Sequence, residues 1–372
     1  MLLVDCQHLL MAYEVGVAQT DEEKEAVYRF RYTIYVEEMG RYQDTADHAG
    51  RRLVEPEDEQ SFIMYIRDTD AGTVVGTGRV TWGGHGFSQR QIDEYSLTPF
   101  LDALPHEHLA VGERVMIRPD LRGTGLIDEL MAKRNQTALE HDVLIQFAAC
   151  EPHLLSLYLG QGRRTYAKKN INTPEAGYLI PLVAFPEGPD ALRGVGAGTP
   201  AGELPECVAE ILSGGGAVMS PLMTGEDDYT EHLRSAMHEI EAQEISAFHG
   251  FTDDEVERCL GHSNVIECAT GDRVLKKGGV ARNIFVVLDG TLEARDGERV
   301  VGVIRSGEVF GEMAFLLEQP RSIDVYAASD SVRVLSLSES TIRKMIAADP
   351  DVAAKLLFNI SKMLCVRIVK AS

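Results

Sequence analysis

The sequence has few cysteines, few aromatic residues and no long apolar run. Its six cysteines include no C-x-x-C pair, which disfavours a zinc site and a small disulfide-bonded scaffold. No segment reaches the roughly 18 apolar residues that a membrane span needs. The amino-terminal run Leu2–Leu10 is interrupted by Asp5 and His8 and has no basic leader before it, so no signal peptide is expected. We therefore expect a soluble, cytoplasmic protein without a transmembrane segment.

Basic residues are also scarce, with 36 Lys and Arg against 58 Asp and Glu and a formal net charge of -22. Most of this negative charge lies before residue 241. An acidic surface repels the phosphate backbone of DNA and RNA. We therefore expect no nucleic-acid partner.

The length of 372 residues predicts two or three domains, and 44% hydrophobic with 25% charged residues excludes general disorder. Glycine and proline cluster after Phe185 and indicate an interdomain connection. We predict an amino-terminal domain over residues 12–186, a Gly/Pro-rich linker over 187–228 and a carboxy-terminal domain over 229–372.

Helical and strand patterns alternate before the linker. Val27, Phe30, Ile34 and Tyr35 recur at helical intervals and predict a helix over Asp21–Gly40. A second helix is predicted at Leu126–Glu140, and strands at Phe62–Ile66, Thr73–Thr81, Ala110–Ile117, Val143–Ala149 and Tyr178–Phe185. This alternation is typical of a mixed α/β domain.

Short β runs after Phe248 follow one another at the even spacing of a sandwich or barrel. The predicted strands are Val274–Leu275, Asn283–Leu288, Thr291–Arg295, Val300–Ile304 and Val332–Leu337. A helix over Tyr229–Phe248 precedes them, and helices at Glu339–Ala348 and Val352–Val369 follow. We predict a β-barrel with flanking helices, in which the last helix serves either the core or a homodimer seam.

The segment Phe310–Ser322 brings a glycine, a carboxylate and an arginine close together in the sequence. Gly311 allows a ligand to approach the backbone, N–H groups at a helix start can hold an anion, and Arg321 offers a planar fork to phosphate oxygens. The segment strongly resembles the phosphate-binding cassette of cyclic nucleotide-binding domains, and the resemblance extends over Phe248–Val369.

The resemblance implies that Arg321 neutralises the cyclic phosphate and that Glu312 binds the ribose 2′-hydroxyl. The other implied nucleotide contacts are Gly311, Met313, Ala314 and Ser322. Cyclic AMP is expected rather than cyclic GMP, although Ser322 permits either. Two alternatives are an ordinary helical turn with a surface ion pair between Glu312 and Arg321, and a domain that has lost its ligand.

A second anion-binding pattern follows the predicted strand Ala110–Ile117. A strand, a glycine-containing turn and a helix start direct N–H groups at a pyrophosphate. The pattern lacks the P-loop and G-x-G-x-x-G spacings, which disfavours NTP hydrolysis and nicotinamide binding. It resembles motif A of the GCN5-related (GNAT) acyltransferases, and this resemblance implies an acyl thioester donor, either acyl carrier protein or acyl-CoA, held by Arg118, Arg122, Gly123, Thr124 and Gly125.

The same resemblance suggests two catalytic residues and no metal. Tyr158 lies where a tyrosine in that family often protonates the thiolate leaving group. Glu113 could deprotonate the attacking amine directly or through water. The alternative for Glu113 is a carboxylate locked to Arg79 or Arg114.

Three further segments, Phe30–Gly40, Gly76–Arg79 and Gly112–Arg114, resemble the autoinducer synthases and the long-chain N-acyl amino acid synthases. Gly177–Leu182 suits the second group better. This resemblance implies an amino acid acceptor, whose carboxylate would be oriented by Arg31, Arg79 and Arg114. Its ammonium could be attracted by the acidic side chains Asp44, Asp47, Glu57 and Asp58.

Those families take acyl chains from acyl carrier protein, an acidic partner. Residues 114–169 carry nine basic against six acidic side chains, a basic island in an acidic chain. Such an island would steer an acidic carrier, and it would equally suit the phosphates of coenzyme A. The alternative is a solvated helix face without a partner.

We therefore predict an N-acyltransferase of the GNAT superfamily that is regulated by cyclic nucleotide binding to its carboxy-terminal domain. The first alternative is a cyclic AMP-regulated protein lysine acetyltransferase that uses acetyl-CoA. The second is a non-catalytic cyclic nucleotide sensor. Acyl chain length, the acceptor, the sign of regulation and the oligomeric state stay open at this point.

Overall fold

The computed structural model describes residues 12–167, 170–213, 218–219, 246–260 and 263–371. The chain divides into two compact units, one of Met1–Ala149 with Val183–Glu210 and one of Cys150–Leu182 with Ile211–Ser372. Most of the predicted helix Tyr229–Phe248 lies outside the described residues, as do Lys168 and Lys169 of the basic island. The predicted boundaries 12–186, 187–228 and 229–372 stay a prediction.

The first unit is built on a mostly antiparallel sheet. Strands β1 to β4 pair antiparallel in sequence order, and β5 joins β4 in parallel. Their bounds are Tyr13–Val17 for β1, Ser61–Asp68 for β2, Thr73–Trp82 for β3, Leu109–Ile117 for β4 and Ile145–Cys150 for β5. The helices are α1 (Asp21–Arg31), α2 (Gln89–Glu94), α3 (Thr98–Ala103) and α4 (Leu126–Glu140).

Local sequence explains where the first helix begins and where it changes. The Thr20 side chain accepts a hydrogen bond from the Glu23 N–H, and the Glu23 carboxylate accepts one from the Thr20 N–H, which is a capping box. The predicted helix over Asp21–Gly40 is α-helical only to Arg31 and continues as a π-helix over Tyr32–Glu38.

The core of the first unit lies between the sheet and α4. Leu126 and Leu130 pack against Met64, Ile66 and Val80 of β2 and β3. The observed bounds of α4 are those that the sequence predicts. This packing holds the start of α4 next to the end of β4, where the glycine-containing turn lies.

The second unit begins with a short helix and three strands that the sequence places in the amino-terminal domain. These are α5 (Leu155–Gly160), β6 (Arg164–Thr165), β7 (Ile171–Thr173) and β8 (Gly177–Ala184), whose last two residues belong to the first unit. Next along the chain come α6 (Glu206–Leu212), which belongs to the first unit up to Glu210, and β9 (Val218–Met219). β7 pairs antiparallel with β8. The Asn172 amide donates to Asp272 Oδ1 at 2.7 Å, and Tyr178 OH donates to the Glu267 carbonyl at 3.1 Å.

The carboxy-terminal strands form two sheets. One has the order β15-β12-β17-β10-β9 and the other β11-β16-β13-β14. The new strands are β10 (Asn264–Ala269), β11 (Arg273–Leu275), β12 (Ile284–Asp289), β13 (Thr291–Asp296), β14 (Arg299–Arg305), β15 (Val309–Phe310), β16 (Asp324–Ala327) and β17 (Ser331–Leu337). The predicted mixed fold with a carboxy-terminal β domain is confirmed, and the described strands of that domain form a sandwich-like pair of sheets and not a closed barrel. Strand alternation is the same in both architectures, so the sequence pattern does not distinguish them.

Helices flank these sheets as predicted. They are α7 (Asp253–Leu260), α8 (Glu312–Leu317), α9 (Glu339–Ala348) and α10 (Pro350–Ala371). Leu356 and Ile360 of α10 pack in the core with Ile342 of α9 and Val286 and Leu335 of the sheet, so part of the last helix serves the core. No helix in the described ranges is long and apolar enough to cross a membrane.

Candidate functional site

The cassette of the second unit is a left-handed turn between β15 and α8. Gly311 adopts φ +82°, a conformation that side chains with a Cβ rarely take. A Cβ at this position would lie 2.7 Å from Arg321 Nη1 and 2.8 Å from the Asn283 carbonyl oxygen. Glycine is therefore required both by the backbone conformation and by the close approach of Arg321.

Arg321 is buried beneath this turn with 5% of its surface exposed. Its Nη1 donates to the Gly311 carbonyl and its Nη2 to the Asn283 carbonyl at 2.8 Å. Its Nε has no hydrogen-bond partner among the described residues. Burial lowers the pKa of Arg321 to about 10, although the charges of Glu312 and Glu151 act in the opposite direction.

A buried guanidinium with neutral partners and an unpaired N–H is suited to an anion. Moving a cation out of water is costly unless a negative group compensates. A phosphate would supply that charge and accept the unpaired N–H. The residues present at the cassette therefore fit a cyclic phosphate.

Glu312, the implied ribose ligand, is buried at the start of α8. Its carboxylate accepts a 2.9 Å hydrogen bond from Arg367 Nη1 on α10, and Arg367 Nη2 donates to the Val309 carbonyl. The alternative surface ion pair between Glu312 and Arg321 is therefore not what forms. The last helix therefore already binds the carboxylate that the resemblance implies for the ribose.

The other implied nucleotide residues differ in exposure. Ala314 is buried, Met313 is half exposed, and Ser322 is exposed. The Arg321 N–H donates to the Gly279 carbonyl, and the Gly278 N–H donates to the Arg321 carbonyl, each at 2.8 Å. This pairing fixes the backbone on both sides of the arginine. The individual nucleotide contacts stay predictions.

The glycine-containing turn of the first unit is exposed between β4 and α4. Gly123 and Gly125 have φ of +80° and +89°, and α4 begins at Leu126 with no side chain capping its N–H groups. The Thr124 hydroxyl donates to the Leu121 carbonyl at 2.7 Å. Accessible N–H groups at the start of a 15-residue helix suit a pyrophosphate. The turn therefore fits an acyl-CoA donor.

The two arginines of this turn are held by acidic neighbours. Arg118 forms a bidentate pair with Asp120 at 2.7 and 3.0 Å. Arg122 Nη2 donates to Glu38 at 2.9 Å, and its Nε donates to the Ile117 carbonyl. Both ion pairs are exposed, so each is weak enough to be exchanged for a phosphate.

A β-bulge lies in β4 beside this turn. Thr77 faces Met116 and Arg79 faces Glu113, so β4 contains one residue more than β3 between the two pairs. Arg114 lies within the bulge and has φ +59°. A bulge leaves a residue out of the hydrogen-bond ladder, and its N–H is a natural donor to a substrate carbonyl oxygen.

Glu113 is fixed in a buried cluster. It accepts hydrogen bonds from Arg79 Nη2 at 2.8 Å, from the Gln91 amide at 2.9 Å and from Arg90 Nη2 at 3.2 Å. Burial would raise the pKa of Glu113, but Arg79, Arg114 and Arg90 hold it well below its usual range. These contacts correspond to the alternative in which the carboxylate is locked to Arg79. They make Glu113 a weak proton acceptor, and its catalytic role stays a prediction.

The three arginines predicted to orient the acceptor belong to the same cluster. Arg31 Nη1 donates to Asp58 at 2.7 Å, Arg79 Nη1 donates to Asp58 at 3.2 Å, and Arg114 forms a bidentate pair with Glu55. Burial would raise the pKa of Glu55, but Arg114, with help from Arg79 and Arg31, lowers it to about 2. Asp58 therefore binds arginine and is not free to attract an ammonium group.

Two of these arginines retain unpaired N–H groups. Arg31 is completely buried, and its Nε and Nη2 have no hydrogen-bond partner within the described ranges. Arg79 Nε also has none there. Each unpaired buried donor costs free energy, so an additional acceptor would stabilise this cluster.

Tyr158 lies on α5 in the second unit and is buried. The guanidinium of Arg163 lies 5.3 Å from the centre of its ring, which is within range of a cation–π contact. The role of Tyr158 as a proton donor stays a prediction.

The proposed basic island is less exposed than its composition indicates. Arg134 and Arg163 are buried, Arg114 is paired with Glu55, and Arg118 and Arg122 are paired with carboxylates. A count of charged residues in the sequence does not include their partners, and no motif in the sequence indicates Glu55, Arg90, Gln91, Asn283 or Arg367. Their contacts are made with residues distant in the sequence, so no local spacing indicates them.

Family models match two regions of the chain. The family described as "Acetyltransferase (GNAT) domain" matches residues 30–132, and the family described as "Cyclic nucleotide-binding domain" matches residues 265–349. The chain carries a GNAT acetyltransferase domain and a cyclic nucleotide-binding domain. This confirms the resemblances to GNAT acyltransferases and to cyclic nucleotide-binding domains, and the cassette and the glycine-containing turn lie inside the matched ranges. The narrower resemblance to autoinducer synthases and N-acyl amino acid synthases stays a prediction. Tyr158 and Arg367 lie outside them.

The similar curated proteins include two cAMP-dependent protein kinase regulatory subunits. The chain is 27% identical over 125 residues to a cAMP-dependent protein kinase regulatory subunit of Mycosarcoma maydis, which is 32% of this chain and 24% of the relative. It is also 27% identical over 86 residues to a type II regulatory subunit of Drosophila melanogaster, 22% of this chain and 23% of the relative. The chain thus spans about a quarter of the length of these relatives.

Among solved structures, a cyclic nucleotide-binding domain from Methylobacillus flagellatus KT is 17% identical, with a TM-score of 0.34. The match covers 41% of this chain and 85% of that one.

Proposed function

We propose that this protein transfers an acyl group from a thioester to an amine and that a cyclic nucleotide bound at Arg321 regulates the transfer. One observation carries the proposal: an exposed glycine-containing turn in a GNAT domain and a buried Arg321 with an unpaired N–H occur in one chain. The donor is an acyl thioester, either acyl-CoA or acyl carrier protein. Cyclic AMP is the favoured nucleotide because the similar curated proteins are named as cAMP-dependent.

The transfer itself requires the amine nitrogen to attack the thioester carbonyl carbon. The C–N bond forms, the C–S bond breaks, the amine loses a proton and the thiolate gains one. We assign the oxyanion to the N–H donors of the β4 bulge at Arg114. Tyr158 would protonate the thiolate, and the amine proton would leave through water because Glu113 is held by arginines.

We propose a free amino acid as the acceptor. The unpaired N–H groups of Arg31 and Arg79 support this choice because a substrate carboxylate would satisfy them. Arg114 would hold its acidic partner Glu55 in place beside them. A long acyl chain on acyl carrier protein is the proposed donor for such an acceptor.

The test is a transfer assay read by mass spectrometry. Purified full-length protein is mixed with acyl carrier protein and CoA thioesters of several chain lengths and with mixed amino acids, with and without cyclic AMP. N-acyl amino acids whose yield changes with the nucleotide are the expected result. An Arg321→Ala variant should transfer the acyl group at a rate that no longer responds to cyclic AMP. A Tyr158→Phe variant should transfer it slowly both with and without cyclic AMP.

A protein lysine acetyltransferase is the second candidate. The matching family is described as an acetyltransferase, which favours acetyl-CoA as the donor. Transfer from acetyl-CoA to a protein lysine, without transfer to any free amino acid, would establish this candidate in place of the first. No transfer from any donor, with nucleotide binding verified, would leave a non-catalytic sensor.

A further inference from the structure

A line of buried polar side chains starts at the phosphate-site arginine. Arg321 Nη2 donates to the Asn283 carbonyl at 2.8 Å, and the Asn283 amide nitrogen donates to Ser336 Oγ on β17 at 2.9 Å. Asn283 is 1% exposed and Ser336 is 2% exposed. The group that would hold the phosphate is therefore linked by hydrogen bonds to the central strand of the five-stranded sheet.

The line continues across the sheet to the helix of Tyr158. Ser336 lies directly opposite Asn264 in the antiparallel pairing of β17 with β10. The buried Asn264 amide donates to Ser156 Oγ at 3.1 Å. Ser156 belongs to α5, two residues before Tyr158. Arg321 and α5 thus lie at the two ends of one polar path, Arg321–Asn283–Ser336–Asn264–Ser156. Hydrogen bonds join its members, the first to the backbone carbonyl of Asn283, except between Ser336 and Asn264, which are cross-strand neighbours.

The turn before α5 is also placed to respond to Arg321. Residues Pro152–Leu154 pack against β17. The negative charge of Glu151, the residue before this turn, acts on Arg321 and opposes the effect of burial on the pKa of Arg321. A cyclic phosphate carries one negative charge, so at Arg321 it would largely cancel the attraction between Glu151 and Arg321.

Buried polar side chains in a core have few alternative arrangements. An amide that loses its partner leaves an unsatisfied group, so members of such a path move together. Asn283 Oδ1 lacks a hydrogen-bond partner in the described residues. This oxygen can therefore accept a hydrogen bond if the side chains of the path rearrange. A phosphate that takes Arg321 N–H groups competes with the Asn283 carbonyl for the same guanidinium.

We propose that this polar path transmits nucleotide occupancy from Arg321 to α5, and that Asn264 and Ser156 are positioning residues for Tyr158. The proposal rests on the proposed function, since it needs a cyclic nucleotide at Arg321. It adds the route by which that nucleotide acts, together with two residues that no motif identifies. Spatial continuity alone does not establish coupling, so the test measures coupling directly.

The experiment is amide hydrogen exchange of α5 in the full-length protein with and without saturating cyclic AMP. Wild-type protein is compared with Ser156→Ala, which removes the hydrogen-bond acceptor, and with Ser156→Thr, which retains it. Ser306→Ala is the matched control, because Ser306 is a half-buried serine of the same unit that donates to the Leu288 carbonyl outside the path. Binding of cyclic AMP is measured by calorimetry for every variant.

We expect nucleotide to change α5 exchange in the wild type, the Thr variant and the control. In Ser156→Ala the response should fall about threefold or more, the size expected for one lost hydrogen bond, while the Kd for cyclic AMP stays within about threefold. The ratio of transfer rates with and without nucleotide should fall by the same factor. A Ser156→Ala response equal to that of the wild type would overturn the path.

The outcomes separate this inference from the proposed function. An α5 response that is lost in Ser156→Ala supports the path even if no donor gives transfer, in which case only the catalytic proposal fails. Wild-type protein that binds cyclic AMP without any change in α5 exchange overturns the path and leaves catalysis to the transfer assay. If no cyclic nucleotide binds, the proposed regulation and this inference fall together.

Discussion

Replacing Gly311 with alanine should weaken cyclic nucleotide binding in addition to destabilising the fold. Gly311 has φ +82°, and an added Cβ would lie 2.7 Å from Arg321 Nη1 and 2.8 Å from the Asn283 carbonyl oxygen. The left-handed conformation costs a residue with a Cβ about 1–2 kcal/mol. The steric clash between the added Cβ and Arg321 adds to this cost. A movement of the flexible Arg321 guanidinium would relieve the clash most easily.

That movement determines the expected loss of affinity. The guanidinium would leave the position from which it donates to the Gly311 and Asn283 carbonyls, which is also where we expect it to meet the phosphate. A hydrogen bond to a charged group contributes about 1.5–3 kcal/mol. Losing one such bond weakens binding by about tenfold or more, so the Kd for cyclic AMP should rise at least tenfold.

Gly297→Ala provides the matched control. Gly297 lies in the turn between β13 and β14 with φ +61°, and its added Cβ would have no atom within 4 Å. An added Cβ is unfavourable in the left-handed conformation of both glycines, so the free energy of unfolding in urea should fall by about 1–2 kcal/mol in each variant. A further decrease is expected only in Gly311→Ala. Calorimetric titration with cyclic AMP should show wild-type affinity in Gly297→Ala alone. Equal affinity in the two variants would refute the role assigned to Gly311 and Arg321.

Three further changes test the two sites. Arg367→Ala should tighten cyclic AMP binding several-fold, because the Glu312 carboxylate would no longer be engaged by α10; weaker binding would make Arg367 a ligand contact instead. Glu55→Gln should reduce the acid sensitivity of urea unfolding: the pKa of Glu55 is lowered from 4.5 to about 2, so its stabilisation is complete above pH 4.5 and is lost as the pH falls toward 2. An unchanged profile below pH 4.5 would contradict this. Arg122→Ala should raise the KM for acyl-CoA several-fold without altering the Kd for cyclic AMP. An unchanged KM for acyl-CoA would exclude the glycine-containing turn as the donor site.

The cassette was predictable from the sequence because its parts are close together along the chain. Gly311, Glu312 and Arg321 fall within one short segment, and a helix start with a preceding glycine has few possible geometries. The glycine-containing turn before α4 is local in the same way, and the predicted bounds of α4 match the observed helix. What the sequence did not predict is Arg367, which reaches Glu312 from 55 residues away.

For the ion-pair cluster of the first unit, the sequence indicates several of the residues but not which of them pair. Arg31, Arg79, Glu113 and Arg114 were all selected from the sequence, but as groups that face the substrate. Their partners Glu55 and Asp58 come from the turn before β2, and Arg90 comes from α2. Pairing removes much of the charge that each residue would offer alone. Sequence identifies charged residues, whereas the choice between catalysis and structure depends on which opposite charge lies within 3 Å.

The division of the chain gives regulation a physical basis. Residues 150–182 follow the GNAT match in sequence, yet they form one compact unit with the nucleotide-binding region. Their contacts include Asn172 with Asp272, Tyr178 with the Glu267 carbonyl and Arg273 with the Thr173 carbonyl. A nucleotide that rearranges this unit therefore acts on the segment that carries Tyr158 without any need for a hinge in the Gly/Pro-rich linker. Regulation through this segment requires a difference in nucleotide affinity between two arrangements of one packed unit, and a coupling of about 1–3 kcal/mol is sufficient to change the transfer rate from several-fold to about a hundredfold.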